Sequence, residues 1–109
     1  MYLGKPVIAT SYSGNMDFMN VNNSFLVKYD LVETREDYGA YKKGTVWADP
    51  SIENAADLMQ LVYNQNGKAL QVGRRGQSDI HKNFSPEVTG KEIFDRLERM
   101  NSLTSKSLK

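Results

Sequence analysis

The sequence contains no cysteine. Disulfide staples and thiolate metal sites are therefore excluded, a composition that fits a reducing compartment. Histidine occurs once, at His81, with no cysteine or carboxylate at ligand spacing, which makes it a poor metal candidate. Neither sign of charge dominates: 14 basic residues face 13 acidic ones, for a net charge of +1. The electrostatic footprint of a nucleic-acid binder is missing, and so is an acidic tail. No apolar run approaches the ~20 residues that cross a bilayer. Lys5-Pro6 interrupts the N-terminal apolar residues, which are too few for a secretory signal. There is no G-x-S-x-G elbow, and Ser11, Ser13 and Ser24 have no base arranged beside them as a nucleophilic triad needs. Gly4-Lys5-Pro6 lacks the glycine-rich run and the Ser/Thr after lysine of a phosphate-binding P-loop. Internal repeats and low-complexity segments are also lacking.

What is present is the composition of a globular domain, or part of one: 109 residues, 39% hydrophobic and 25% charged. Met1-Tyr2-Leu3-Gly4 reads as the last turn of a helix, with Gly4 at the position that takes φ > 0. A helix tail at residue 1 leads us to expect a chain cut inside a larger domain. Pro6 opens a strand where a missing N–H is tolerated. Val7-Ile8-Ala9 has no polar alternation, so it reads as a parallel strand covered on both faces. The polar loop Ser11–Asn15 follows, and Asn15 is positioned to cap a short helix over 16–19. Phe25-Leu26-Val27 reads as a second strand. Residues 30–43 mix charges with a Gly/Tyr loop and are expected to form a surface excursion with a little strand at 31–33. Residues 45–48 form a third extended piece.

Three helices follow. Asp49-Pro50 is a strong helix start, and Ile52, Ala55, Ala56, Met59, Val62 and Tyr63 form the apolar face of a helix over 50–65. A second helix over 68–82 carries Ala69, Val72, Gly73, Gly76 and Ile80. Its two glycines allow a neighbouring backbone to approach closely, at a cost of roughly 1 kcal/mol each against alanine. Ser85-Pro86-Glu87 starts a third helix, with Ile93, Leu97 and Met100 in its stripe and Phe94 beside it. Residues 1–100 are expected to be ordered, and 101–109 to fray. The order of elements predicts an α/β fold: a short parallel sheet with a helical C-terminus.

Taken in order, several segments resemble one family. Gly4-Lys5-Pro6-Val7-Ile8-Ala9-Thr10, then Ser13-Gly14-Asn15 and Asp17-Phe18, look like the C-terminal domain of the glycosyltransferase group 1 family. These are retaining enzymes of family 4 with the two-domain GT-B fold. Asn23-Ser24-Phe25-Leu26-Val27, Trp47-Ala48-Asp49-Pro50 with Ala55-Ala56, Gly73-Arg74-Arg75-Gly76 and Ser85-Pro86-Glu87 extend the likeness to about residue 100. The stretch with Tyr38 and Tyr41 before Trp47 is similar to a subgroup of that family.

The resemblance implies a partial Rossmann-like, GT-B C-terminal domain. It implies transfer of a sugar from a nucleotide-sugar donor to a glycan, lipid or protein acceptor, without a metal or other cofactor. It also implies that the glutamate pair of the family's E-x7-E motif and the acceptor-binding N-terminal domain lie outside this chain. No catalytic residue is then assigned here, and the chain alone is expected to be inactive. The residues it assigns to the donor loop are Ser13, Gly14, Asn15 and Asp17. The plainer reading is that Asn15 caps a helix, Gly14 makes a turn and Asp17 is a first-turn helix acid. Tyr38, Tyr41 and Trp47 are able to stack on a sugar, and the alternative is that they stabilise core and loop. Arg74 and Arg75 read as a solvated helix face, as does His81 beside Lys82.

The expected location is cytoplasmic, with peripheral membrane attachment of a parent enzyme left open. A sheet without its first strands exposes an apolar edge, so the isolated chain is expected to be marginal or to self-associate. The competing function is a stand-alone, non-catalytic α/β binding or interaction module. A receiver-like phosphotransfer domain ranks third, because the acidic cluster for magnesium is missing.

Overall fold

The computed structural model describes residues 1–107. The fold is mixed α/β: a short parallel sheet, a separate two-stranded antiparallel sheet and three C-terminal helices. Strand β1 (Ile8–Thr10) pairs in parallel with β2 (Phe25–Val27), Ile8 opposite Phe25 and Thr10 opposite Val27. Phe25 and Val27 are buried, whereas β1 is only half-buried along its length. The expected parallel pairing is present. The expected cover on both faces of β1 is incomplete.

The strand expected at 31–33 and the extended piece expected at 45–48 are both present, and they pair with each other as a β-hairpin. Strand β3 (Tyr29–Glu33) pairs antiparallel with β4 (Val46–Pro50), with Val32 opposite Trp47. Buried Thr34 closes the hairpin's loop: its Oγ1 donates to Lys42 O at 2.8 Å and accepts from Thr45 N at 3.1 Å. At the tip, Tyr38 and Tyr41 exchange backbone hydrogen bonds of 2.8 and 3.0 Å around Gly39-Ala40, with Gly39 at φ 59°. The Asp37 carboxylate receives Lys42 Nζ and the Lys43 N–H, each at 2.8 Å. These local hydrogen bonds are invisible to a reading based on hydrophobic period.

The hairpin also displaces the expected start of the first helix. Asp49 and Pro50 lie in β4, opposite Asp30 and Tyr29, and so cannot cap a helix. A proline is tolerated at that strand end because it donates to no ladder. Ser51 is the cap instead, accepting the Asn54 N–H on its Oγ at 3.2 Å. Helix α1 then spans Ile52–Asn64 and lies against β1, β2 and the next helix. Its inward face carries Ala55, Leu58, Leu61 and Val62, all half-buried. Ile52 and Tyr63, expected to face the core, are each 85% exposed, and Met59 is exposed as well.

Helix α2 (Asn66–Asn83) follows after the single residue Gln65, with Ala69, Gly73 and Gly76 buried as expected. A Cβ at Gly73 would sit 2.5 Å from Gly4 O, and one at Gly76 would sit 2.8 Å from Asn23 O. Only glycine permits this approach of helix to backbone. The facing segment is the opening turn, where Gly4 N donates to Met1 O at 2.8 Å and Gly4 takes φ 70°, the left-handed value expected for it. Asn23 completes this seam. It is 2% exposed, and its Nδ2 donates to Phe18 O at 3.1 Å and to Asp79 Oδ2 on α2 at 2.8 Å.

Helix α3 (Pro86–Ser107) starts as expected, with Ser85 Oγ accepting from Val88 N at 3.3 Å. It continues past the expected end at residue 100, and residues 108–109 of the expected frayed tail lie outside the described residues. Its principal neighbour is α2. Ile93, Phe94, Leu97 and Met100 are between 49% and 59% exposed. The molecule is accordingly extended, 63 × 42 × 19 Å with a radius of gyration of 19.5 Å, where a compact chain of this length would give about 13 Å. Among the described residues few apolar side chains are buried: Met19, Phe25, Val27 and Ala69. Among the described residues no helix is long and apolar enough to cross a membrane.

Candidate functional site

The polar turn leaves the C-terminal end of β1. Ser11 N still donates to Val27 O at 3.0 Å, so the sheet register holds one residue beyond the strand. Ser13 then takes φ 67° and is the one described non-glycine residue with a positive φ. Such a conformation carries a backbone cost of about 1–3 kcal/mol and persists where the surroundings enforce it. Residues Ser13–Asp17 form a single 3-10 turn, replacing the expected short helix over 16–19. Asn15 is inside this turn and not its cap. Its Nδ2 reaches back to Thr10 O at 2.9 Å, while its own carbonyl accepts from Met19 N at 2.8 Å. Buried Met19 anchors the far end. The arrangement fixes the turn to β1 but provides no α-helical N-terminus with a useful dipole.

The four residues of the expected donor loop do not share one cavity. Ser13 and Asn15 line a cleft of about 540 Å³, together with Thr10 and Tyr12 on one side and Tyr41, Val46, Trp47 and Ala48 of the hairpin on the other. Asp17 lines a smaller recess of about 310 Å³, shared with Asn20, Asn23, Asp79 and Asn83. Gly14 lines neither cavity, and a Cβ there would meet nothing within 4 Å. A third cleft, about 480 Å³, is formed by Ser11, Lys28, Tyr29, Asp30 and Ser51. Tyr12 on the rim of the first cleft and Tyr29 on that of the third have ring centroids 5.1 Å apart.

Aromatic packing gives the hairpin wall its shape. The Trp47 ring lies beside both Tyr38, 5.2 Å away at 32°, and Tyr41, 6.4 Å away at 56°. Both geometries fall within the range for favourable aromatic pairs. The Trp47 ring is half-buried beside the tyrosines, and the residue lines the cleft. The turn and the hairpin are remote in sequence, so their juxtaposition was not apparent from spacing. Asn23, the hub that ties the turn to α2, reads in sequence only as part of a turn cluster.

Other candidates lie elsewhere. His81 Nε2 is 3.2 Å from Tyr2 O, and its ring lies 4.2 Å from that of Tyr2, so it braces the opening turn as well as meeting solvent. Arg74 lies on an open surface with Gln77, Ser78, His81 and Lys82. Among the described residues no group of three or more His, Asp or Glu side chains is placed to hold a metal ion. Comparison with family models, with curated proteins and with solved structures returned no match.

Proposed function

We propose that this chain is the distal part of the donor-binding, Rossmann-like domain of a retaining glycosyltransferase, and that the turn Ser13–Asp17 forms one edge of its nucleotide-sugar site. The observation that carries the reading is the polar turn at the C-terminal end of a parallel strand, within an ordered series of segments resembling that family. Open α/β sheets hold their ligands at that end of their strands. In this reading the reaction passes a sugar from a nucleotide donor to a glycan, lipid or protein acceptor with retention of anomeric configuration. Ser13 and Asn15 contribute polar contacts at the donor edge. The catalytic groups and the acceptor domain belong to a longer parent protein, whose domain closure would orient the reactants and exclude water.

Titration of the 15N-labelled chain with uridine- and guanosine-diphosphate sugars tests this reading. Weak binding with amide shifts confined to residues 11–18 is expected. Absence of any shift, or shifts centred on Arg74 and Arg75, would reject the donor-edge assignment.

A further inference from the structure

We propose that the exposed face of α2, with the opening turn that rests on it, docks on an anionic lipid surface. The near-neutral total charge conceals a segregation. The exposed residues of α2 include Lys68, Arg74, Arg75, His81 and Lys82 and no acid. The one acid of the helix, Asp79, is half-buried and accepts from Asn23 Nδ2 at 2.8 Å. At 3.6 residues per turn, Lys68, Arg75 and Lys82 fall on one line along the helix. Leu70, Arg74, Gln77 and His81 fall on the line beside it. The balancing acids sit on other elements, such as Glu53 and Asp57 on α1 and Glu92 and Asp95 on α3. None of Lys68, Arg74, Arg75 and Lys82 makes an ion pair among the described residues.

Apolar side chains stand among these cations. Tyr2 O accepts from Gln77 Nε2 at 3.1 Å, and the Tyr2 ring lies 4.2 Å from that of His81. The opening turn is thereby seated beside the open surface that Arg74, Ser78 and Lys82 share with Gln77 and His81. Leu3 of this turn is 78% exposed and Tyr2 50%, with exposed Lys5 two residues on. Leu70 is exposed on the same line of α2 as Arg74. A membrane interface meets both chemistries at once: its phosphates attract the cations, and the boundary beneath them takes up the apolar side chains. A nucleic-acid backbone would supply the charge but no apolar medium for Leu3 and Leu70. The open form of the face suits an extended charged surface better than one small anion. The face shares no residue with the Ser13–Asp17 turn, so vesicle binding and nucleotide-sugar binding are separate results.

Flotation of the full chain with phosphatidylcholine vesicles, with and without about 30% phosphatidylglycerol, is the test, at about 0.05 and about 0.5 M salt. Binding to the anionic vesicles is expected at low salt, with a loss of at least about tenfold at high salt. Phosphatidylcholine alone should bind far more weakly. Arg74→Glu combined with Arg75→Glu should weaken binding at least about tenfold. Arg74→Lys combined with Arg75→Lys should retain it, because attraction to the surface depends on charge and not on guanidinium geometry. Leu3→Asn leaves the charge unchanged and should weaken binding at least about threefold. These positions are exposed, so the far-ultraviolet circular dichroism of each variant should match that of the parent chain. Arg96→Glu combined with Arg99→Glu makes the same change in net charge on α3 and should leave binding within about twofold.

Absence of binding to the anionic vesicles, or equal binding to phosphatidylcholine alone, would overturn the docking face. Equal losses from the α2 and α3 charge reversals would overturn its location. Unchanged binding in Leu3→Asn would overturn its apolar part and with it the choice of a lipid surface. Tighter binding of a single-stranded oligonucleotide, lost on reversal of Arg74 and Arg75, would make the face a nucleic-acid contact instead.

Discussion

Helices α2 and α3 carry equally clear stripes in the sequence, yet one is sealed and the other stands open. The buried positions of the α2 stripe are small residues, Ala69, Gly73 and Gly76. Gly73 and Gly76 let the opening turn and the Asn23 loop rest directly on the helix backbone, and the Asn23–Asp79 bond closes the seam. The α3 stripe is made of large residues, Ile93, Phe94, Leu97 and Met100, about half exposed. Periodicity identifies which face of a helix is apolar. It does not say whether anything covers that face. Small residues specify their neighbour more tightly, because close approach leaves only one fit.

The contrast can be broken by mutation. Gly73→Leu should have the largest effect, a loss of about 3 kcal/mol or more, because its Cβ meets Gly4 O and the backbone at Lys5 and Pro6 rather than a movable side chain. Urea denaturation measures it, and an unchanged midpoint would mean that the seam is not closed in solution. Asp79→Ala should cost about 1–3 kcal/mol, the cost of leaving the buried Asn23 amide short of a partner. Faster hydrogen exchange at residues 20–24 is the companion readout. Ser51→Ala should cost about 1 kcal/mol by removing the α1 cap.

On α3, Leu97→Asp should change monomer stability by no more than about 0.5 kcal/mol. The same change should reduce any self-association seen by sedimentation, because it interrupts the exposed stripe. A large loss of stability in Leu97→Asp would show that α3 is covered, and the comparison would fail.

The smallest effect is on pH response. At the start of α3, Glu87 is held below its ordinary value of 4.5, chiefly by its own backbone N–H and then by the Ser85 hydroxyl. A depressed carboxyl contributes stability that is fully present above the unfolded value and lost as pH falls through the folded one. The first turn of α3 should therefore loosen only below pH 4.5, and Val88 amide shifts should report a midpoint under that value. A midpoint at or above it would remove the cap interaction. Asp37, lowered from 3.8 by Lys42 and the Lys43 N–H, should behave in the same direction at the hairpin.

Much of the fold was legible because it rests on short-range signals. Val7–Ala9 and Phe25–Val27 have no polar alternation, and they form a parallel pair within a residue of expectation. The Gly73/Gly76 spacing predicted close backbone approach, and that approach is present. Ser85-Pro86-Glu87 opened a helix as read. The misses share a cause. Asp49-Pro50 has the local chemistry of a helix start, but pairing with Tyr29 and Asp30 draws it into β4. Asn15 has the chemistry of a cap, but its amide is better used on the end of β1. The stretch 30–43 shows its strand at 31–33 in the sequence, but not the pairing of that strand with β4, the Thr34 hydrogen bonds or the tilted ring contacts of Tyr38 and Tyr41 with Trp47. Of the site, the turn was visible in sequence and its partner wall was not, because cross-strand register cannot be counted along one strand.

Lys28 is the only residue between β2 and β3, and both of its backbone groups are committed: its N–H to Asn54 Oδ1 at 2.9 Å and its carbonyl to Ser51 N at 2.8 Å. The hairpin is thus a lever clamped at its pivot, with the start of α1 as the clamp. At about 3.3 Å per residue along β3, each degree of rotation at Lys28 moves the strand's far end by roughly 0.3 Å. Rotation of the hairpin about Lys28 would stretch these two hydrogen bonds, which links the width of the cleft to the first turn of α1.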